Sequence, residues 1–464
     1  MDSLEKMRCG EKISSSEQLL LLLRLSTPAI LAQISTIIME YIDASMVGSL
    51  GASSSAAIGI VSTTTWLIGG LTNAIGTGFT INIAHKIGAG DDKEARKYVK
   101  TGLLTVIAFS LILMLMGILI HKKLPLWLGG SPEILQNASD YFLVFALTLP
   151  IMQINYTGAS MLECSGNMKT PGMLNIISCF LDVIFNAFFI YPSRNITILG
   201  KEIYVPGADL GVLGAALGTS LATLFSAFFI LLSILVFSEK LHLRKNEKKG
   251  LSMSSMIYAL KMSFPVMISS SIMGFAYVVS TLIVAPLGNI SITANSFSIT
   301  AESLCYMPGY GIAHAATTLV GQTKGAGRLN LEKRFAFLSV LMGMIIMTLS
   351  GVLLFILAPW MIGLMSPDPG VRELGTTILR IEAFAEPMFG ASIVSEGVFR
   401  GIGKTGIPSC LNLISMWLVR LPLSAFAANF FGLKGVWYVM CAELCFRGSI
   451  FIIALIKTYH SDTV

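Results

Sequence analysis

Two aspartates lie within long apolar stretches of the chain, where a carboxylate needs either a partner or a function. Asp43 and Asp182 have no Lys or Arg at a similar depth in their own segments. An ionised carboxylate at the centre of a bilayer costs at least about 2.5–3.5 kcal/mol on insertion scales. A buried carboxyl group without a nearby cation holds a proton more readily. The pattern predicts that both acids bind and release protons, and a structural hydrogen bond between helices is the alternative.

Two neutral side chains extend this candidate ion site. Asn186 follows Asp182 by four residues, which places both on one helix face, and Thr219 supplies a hydroxyl oxygen. Carboxylate, amide and hydroxyl oxygens are also the ligands that a hard cation such as Na⁺ prefers. The oxygen ligands therefore leave H⁺ and Na⁺ both open as the coupling ion. No other metal and no resident cofactor are expected, because the five histidines show no metal-ligand spacing.

Further charged residues lie in or near the apolar stretches. Glu40, Glu163 and Glu302 are candidates for substrate binding or ion coupling, and acids at helix ends facing water are the simpler alternative. In the second half, Glu443 and Arg447 are spaced as an i, i+4 pair. Glu382 and Glu386 are expected to neutralise Arg420 or Arg380.

The composition indicates the elements that must position these residues. Of 464 residues, 54% are hydrophobic and 12% are charged, about half the charged fraction of an ordinary soluble protein. Helices satisfy their own backbone hydrogen bonds in lipid, so we expect an all-α polytopic membrane protein. Twelve apolar segments are long enough to cross: 19–47, 54–85, 98–120, 136–162, 172–192, 208–237, 256–287, 291–321, 335–364, 374–399, 407–430 and 434–457. The absence of a catalytic motif such as HExxH or a Ser-His-Asp arrangement argues against an enzyme.

The distribution of basic residues predicts the orientation. With the N-terminus inside, the cytoplasmic segments carry 22 Lys and Arg and the outer loops carry six. The positive-inside rule then places both termini in the cytoplasm. The sequence contains no basic stripe with interleaved aromatic residues, so it gives no indication of nucleic-acid binding.

The sequence also repeats itself at an offset of 237 residues. The matches include proline, glycine and asparagine, which apolar composition alone does not explain. The offset changes to 221 for Gly211 and Gly214, because the first half has about sixteen extra loop residues near 193–206. Matched positions include Pro28 with Pro265, Gly88-Ala89-Gly90 with Gly325-Ala326-Gly327, Pro150 with Pro387, and Gly166 with Gly403. We expect an N-lobe of six helices at 1–237, a basic cytoplasmic linker at 238–255 and a C-lobe of six helices at 256–464.

Several segments carry a family resemblance. They are RLSTPAILAQ and YIDASMVGSLG within 24–51, KIGAGDDKEAR at 86–96 with its partner LVGQTKGAGRLNLEKR at 319–334, MLECSGNMKTPGMLN at 161–175 with its partner FRGIGKTGIPSCLN at 399–412, and LGVLGAALGT at 210–219. In their order and doubling these segments resemble the multidrug and toxic compound extrusion (MATE) family over nearly the whole chain. The resemblance implies two pseudo-symmetric six-helix lobes in a V shape.

The resemblance further implies export of cationic or amphipathic compounds in exchange for H⁺ or Na⁺, in a plasma membrane such as a bacterial inner membrane. By position, the family's coupling residues correspond to Asp43 in the first helix, Asp182 and Asn186 in the fifth, and Thr219 in the sixth. Asp182 and Asn186 stand in the reverse of the family's usual order. Pro28 corresponds to a bending point in the first helix.

The expected function is therefore secondary active efflux of small organic cations or amphipathic drugs by a monomer in the lipid bilayer. Two alternatives stay open at this point. A lipid-linked saccharide flippase of the same superfamily would have a more cationic central cavity. A non-transporting membrane receptor would need an output domain, for which the sequence offers no segment.

Overall fold

The computed structural model describes residues 3–8, 11–198, 201–243 and 253–461. The first half contains eight α-helices and, between the last two, a β-hairpin. They are α1 (Ser3–Arg8), α2 (Ser15–Gly48), α3 (Ala52–Gly88), α4 (Asp92–Ile120), α5 (Leu124–Trp127), α6 (Leu135–Cys164), α7 (Lys169–Ile190), β1 (Pro192–Ile198), β2 (Lys201–Ala208) and α8 (Gly211–Leu232), which a π-helical turn (Ser233–Phe237) extends.

The second half follows the same plan. It contains α9 (Met253–Val284), α10 (Asn289–Gly325), α11 (Leu329–Met365), α12 (Pro369–Glu382), α13 (Glu386–Ile402), α14 (Gly406–Leu413), a π-helical segment (Ile414–Arg420) and α15 (Leu421–Ser461). We refer to residues 3–237 as the N-lobe and 253–461 as the C-lobe. Residues 244–252 of the predicted linker lie outside the described residues, and residues 253–255 belong to α9.

Local sequence accounts for several helix starts. Ser14 caps α2 and forms a reciprocal capping box with Glu17, in which each side chain binds the other's backbone N–H. Asp91 caps α4 by accepting from Glu94 N. Asp368 caps α12 by accepting from the N–H groups of Gly370 and Val371. Each cap satisfies donors that the first helical turn leaves free.

The helices account for twelve crossings. Nine helical stretches of the described chain are individually long and apolar enough to span a membrane. The last of these stretches, from Gly406 to His460, contains Gly432 with φ 58° and ψ −143°, which divides it into two crossings. The more polar α10 supplies another crossing, and α12 with α13 supplies one more. The predicted twelve-helix, all-α architecture agrees with this arrangement.

The duplication is visible in the backbone as well as in the sequence. Glycines with positive φ recur at matched positions of the two lobes, where side-chain-bearing residues would be strained. The pairs are Gly51 and Gly288 (φ 110° and 91°), Gly90 and Gly327 (74° and 67°), Gly166 and Gly403 (95° and 82°), and Gly211 and Gly432 (52° and 58°). The first three pairs have the offset of 237 and the last has the offset of 221, as the sequence repeat does.

The lobes contact each other mainly through three helix pairs, α3 with α9, α2 with α10 and α3 with α10. We call the face where α2 begins and α15 ends the terminus face, and the opposite face the loop face. Hydrogen bonds between the lobes concentrate toward the terminus face, where Ser263 of α9 donates to Ile75 O (2.8 Å) and accepts from Gly78 N (2.9 Å). The lobes therefore meet near the terminus face.

Two local features differ from the expectation. The tenth predicted span is interrupted at 383–385, and α13 begins with Pro387 in its first turn. Its repeat partner Pro150 lies inside the continuous helix α6. The extra outer loop is an antiparallel hairpin rather than an irregular loop, with Ile196 opposite Ile203.

Candidate functional site

The predicted N-lobe residues form one cluster. Asn186 Nδ2 donates to Asp43 Oδ1 (2.8 Å) and to Asp182 Oδ2 (3.0 Å), so one amide joins α2 to α7 through two carboxylates. Asp182 and Asn186 are fully buried, whereas Asp43 is partly exposed. Because both bonds need a donor, the amide nitrogen must face the carboxylates. The predicted i, i+4 pairing on α7 is therefore present and extends to Asp43.

Close packing of α8 completes the cluster. A Cβ atom built on Gly218 would lie 2.0 Å from Asn186 Oδ1, so a glycine is needed for α8 to approach α7 this closely. Thr219, the next residue, lines the same cavity as Asp43 and Asn186. The four predicted coupling residues thus come from α2, α7 and α8 and lie at one place.

Two buried oxygens of this cluster are available to a ligand. Asp182 Oδ1 and Asn186 Oδ1 accept no hydrogen bond from the described residues. A buried acceptor without a partner is costly, and a proton or a hard cation would satisfy it. The described residues contain no group of three or more His, Cys, Asp and Glu arranged to hold a metal.

A tyrosine ties the ends of α2 and α7 together near the cluster. Tyr191 follows α7, and its hydroxyl donates to Met46 O (3.2 Å) and pairs with Ser49 Oγ (2.8 Å). These bonds hold the last turn of α2 against the end of α7. The register between Asp43 and Asn186 is thereby supported from the loop-face side.

Asp43 faces a large cavity between the lobes. The cavity has a volume of about 970 Å³ and extends from Val47 and Ser55 near the loop face to Thr405 toward the terminus face. Aromatic side chains from both lobes line it: Trp66, Tyr141, Tyr156, Tyr277, Tyr310 and Phe389. The cavity is large enough for a drug-sized molecule. Asp43, Asn186 and Thr219 of the cluster are thus part of its wall.

The other predicted acids have different positions. Glu40 lines the cavity one turn from Asp43. Glu163 instead contacts His314 Nδ1 through its Oε2 (2.7 Å), which joins α6 to α10 across the lobes. Glu302 is buried within the C-lobe. Among these three acids, the structure places Glu40 in the wall of the cavity.

Pro28 does not break its helix. The single helix α2 runs from Ser15 to Gly48 through this residue. Gly172 of α7 packs closely there, since a Cβ on it would lie 2.9 Å from Pro28 O. The role of Pro28 as a hinge stays a prediction.

Sequence reasoning missed the aromatic part of the site. Tyr141 on α6 lines the same cavity as Asp43. Its neighbours Ser139 and Asp140 make this a polar stretch near the start of an apolar segment. That polarity was the available signal, but it does not indicate which helix face points toward α2.

Comparison with known proteins identifies the family. The MatE family model matches the chain twice, at residues 28–188 and 265–426. The chain belongs to the MatE family. The two matches begin 237 residues apart, so each lobe carries one copy, and the resemblance drawn from the sequence motifs is confirmed.

Curated and solved MATE proteins match over most of their lengths. The probable multidrug resistance protein NorM of Thermotoga maritima is 26% identical over 439 residues, covering 92% of this chain and 90% of the relative. The multidrug export protein MepA of Staphylococcus aureus is 24% identical over 396 residues, covering 84% and 82%. The crystal structure of a mutant Vibrio cholerae MATE transporter VcmN superposes with a TM-score of 0.87 at 18% identity, covering 96% and 98%. The fold is thus the two-lobed, twelve-helix MATE fold, and the chain belongs to a family of membrane transporters rather than enzymes.

Proposed function

We propose that this protein is a secondary active multidrug efflux transporter that exchanges cationic or amphipathic compounds for H⁺ or Na⁺. The observation that carries the proposal is the link between cavity and ion cluster. Asn186 connects Asp43, in the cavity wall, to the buried Asp182. An ion bound between these groups changes the charge of the wall on which a substrate would lie. Family membership and the names of the relatives support export of drugs.

The cavity chemistry favours organic cations over anionic lipid-linked sugars. Glu40 and Asp43 present carboxylates on the N-lobe wall. The cationic Arg400 and Arg447 that also line the cavity are each paired with a glutamate, Glu396 and Glu443 respectively. The aromatic rings offer faces for ammonium groups. A flippase for anionic substrates would need unpaired cations here, so the flippase alternative is disfavoured.

The direction of transport follows from the charge bias. With 22 basic residues on the terminus side and six on the loop side, the positive-inside rule places the terminus face in the cytoplasm of the cell that bears the protein in its plasma membrane. The cavity reaches the loop face, and the lobes are bonded together near the terminus face. The structure is then an outward-facing form, in which substrate leaves and the coupling ion enters.

The driving force is sufficient for such an exchange. Moving one elementary charge through 100 mV supplies about 2.3 kcal/mol. At a somewhat larger potential, one ion supports a roughly hundredfold gradient of a substrate without net charge, which corresponds to about 2.7 kcal/mol. For a monovalent cation exchanged one for one, the concentration gradient of the coupling ion supplies the driving force. We expect a monomer to complete the cycle, since the cavity and the ion cluster lie within one chain.

The test is substrate-induced ion flux in proteoliposomes containing the full chain. A Na⁺ gradient and a pH gradient are imposed separately while uptake of an organic cation such as ethidium is followed. One gradient should drive uptake in the wild type, and Asp43→Asn or Asp182→Asn should abolish it. Asp140→Asn is the matched control, because Asp140 contacts Gln136 at the loop-face end of α6. Wild-type gradient-driven uptake in both Asn variants would overturn the coupling assignment.

A further inference from the structure

The helices α3 and α10 cross at the terminus face in a two-fold arrangement. A Cβ atom on Gly88 would lie 2.0 Å from Gln322 O, and a Cβ atom on Gly325 would lie 1.9 Å from His85 O. The two glycines are repeat partners at the offset of 237, and so are His85 and Gln322. Each glycine therefore lets its helix reach the backbone of the polar residue on the other helix.

The same two polar residues form matched hydrogen bonds between the lobes. His85 Nε2 donates to Gly401 O at the end of α13, at 2.7 Å. Gln322 Nε2 donates to Cys164 O at the end of α6, also at 2.7 Å. Cys164 and Gly401 are again repeat partners at the offset of 237. One pseudo-symmetric contact is thus made twice, once in each direction.

The accepting carbonyls, those of Cys164 and Gly401, lie at helix ends, where no following turn supplies a backbone N–H donor. After α6, the N–H groups of Ser165 and Asn167 both donate to the carbonyl of Leu162, and that of Gly166 donates to the carbonyl of Glu163. None of them donates to the carbonyl of Cys164. After α13, those of Gly403 and Lys404 bond to Arg400 and Phe399 rather than to Gly401. A side chain from the opposite lobe satisfies each carbonyl in this state. Separation of the lobes must release both to water or to new partners.

The N-terminal helix supports one of these bonds. Arg8 Nη2 donates to Gln322 Oε1 (2.8 Å) and to Ser165 O (3.3 Å). Because Gln322 Oε1 accepts from Arg8, its amide nitrogen is directed to Cys164 O. Met7 is fully buried, and Met7 O accepts from Arg328 (2.9 Å). α1 is therefore anchored to both lobes beside the Gln322 bond.

We propose that His85 and Gln322 are paired positioning residues whose hydrogen bonds hold the terminus face closed, and that both bonds break when the cavity opens to that face. Arg8 positions Gln322 and adds to the closed state. The proposal deepens the proposed function, because it names residues that set the balance between the two open states of a transporter. They touch neither substrate nor ion.

The test measures hydrogen exchange at both faces of the full chain in lipid nanodiscs, without substrate. His85→Ala and Gln322→Ala should each increase exchange by about fivefold at the terminus-face turns 165–168 and 403–405, because one neutral hydrogen bond of ordinary strength is lost. Exchange should fall at the loop-face turns 49–51 and 285–288, since opening one face closes the other. The double variant should show the product of the two changes.

A conservative substitution separates a positioning role from a general packing role. His85→Gln places a glutamine amide at both matched positions and should keep the wild-type hydrogen-exchange pattern at both faces. Thr323→Ala is the matched control, because Thr323 is also buried on α10 but donates to Leu319 O of its own helix. Arg8→Ala should combine non-additively with Gln322→Ala and additively with His85→Ala.

Unchanged exchange in both alanine variants would overturn the proposal. So would increased exchange at the terminus face without protection at the loop face, since that pattern means local loosening. These measurements need neither a coupling ion nor a drug. Their failure would therefore leave the proposed export function to be judged by the flux experiment.

Discussion

The two lobes share one backbone plan but surround the buried acids Asp182 and Glu443 in opposite ways. In the N-lobe, Asp43 and Asp182 are joined by the neutral amide of Asn186, and Asp43 borders the central cavity. In the C-lobe, Glu443 lies between Arg447 (2.6 Å) and Arg420 (3.9 Å) and is 1% exposed. The N-lobe acids have no cation in contact, as the proposed ion coupling requires, whereas Glu443 already has its cations.

The helices that carry these groups differ in the same way. α7 is a regular helix through Asp182 and Asn186. Its C-lobe counterpart contains a π-helical segment, Ile414–Arg420, which ends at Arg420. A π-helical turn changes the direction of the following side chains, and such turns recur at functional sites. The duplication thus kept the path of the chain while the side chains on it diverged.

A second C-lobe group has no cation in direct contact among the described residues. Glu382 and Glu386 flank the break between α12 and α13, and none of their carboxylate oxygens takes part in a hydrogen bond there. Among the described residues neither acid forms a direct ion pair with Arg420 or Arg380, and neutralisation by these cations at longer range stays a prediction. Arg420 approaches Glu443 and Met440, and Arg380 donates to Phe355 O (3.3 Å). The expected i, i+4 pair of Glu443 and Arg447 is present.

The largest effect expected from this contrast is on stability. Glu443→Gln leaves Arg420 and Arg447 without their carboxylate and should cost about 3–5 kcal/mol, because an unpaired buried charge remains. Asp182→Asn removes a buried carboxylate that has no cation, so the melting temperature should stay at or above that of the wild type. Glu396→Gln is the control, since its pair with Arg400 is partly exposed and should contribute at most about 1 kcal/mol. Thermal unfolding in detergent measures the melting temperatures of all three variants. Equal melting temperatures for Glu443→Gln and Asp182→Asn would contradict the difference between the two buried acids.

A second test concerns the amide that distinguishes the N-lobe site. Asn186→Ala removes the donor to both aspartates, and each hydrogen bond to a charged group contributes about 1.5–3 kcal/mol. We expect the coupling-ion concentration that gives half-maximal efflux to shift by about tenfold or more. The repeat supplies a matched control in Leu423→Ala, because Leu423 occupies the position 237 residues later and its side chain is half exposed. A shift below twofold for a folded Asn186→Ala protein would show that the bridge has no part in coupling.

Much of the fold could be read from the sequence because lipid imposes a simple rule. Apolar length marks a crossing, so the spans were predicted to within a few residues at most ends. The break at 383–385 was missed because the apolar character continues across it. The hairpin at Pro192–Ala208 was missed because this short segment carries no strong periodicity. Its pairing runs from Pro192 opposite Ala208 to Ile198 opposite Lys201.

The site was predictable in part for the same reason. An acid in an apolar run is conspicuous, and Asp43, Asp182 and Asn186 lie together as the spacing and the resemblance indicated. Glu163 was equally conspicuous, yet it pairs with His314, because two helices from different lobes meet there. Sequence shows that a polar group is buried but does not show which neighbour faces it. The aromatic cavity wall, including Tyr141, was missed on the same grounds.

The smallest expected effect concerns the matched prolines. Pro150 lies inside α6, where it removes a helical hydrogen bond, whereas Pro387 lies in the first turn of α13, where no such bond exists. Pro150→Ala should therefore raise the free energy of unfolding by about 1 kcal/mol, since neighbouring groups already offset part of the loss. Pro387→Ala should leave the free energy of unfolding nearly unchanged. Parallel thermal unfolding of the two variants measures the difference. Equal stabilisation by both substitutions would mean that the break at 383–385 costs the C-lobe as much as a helical proline costs the N-lobe.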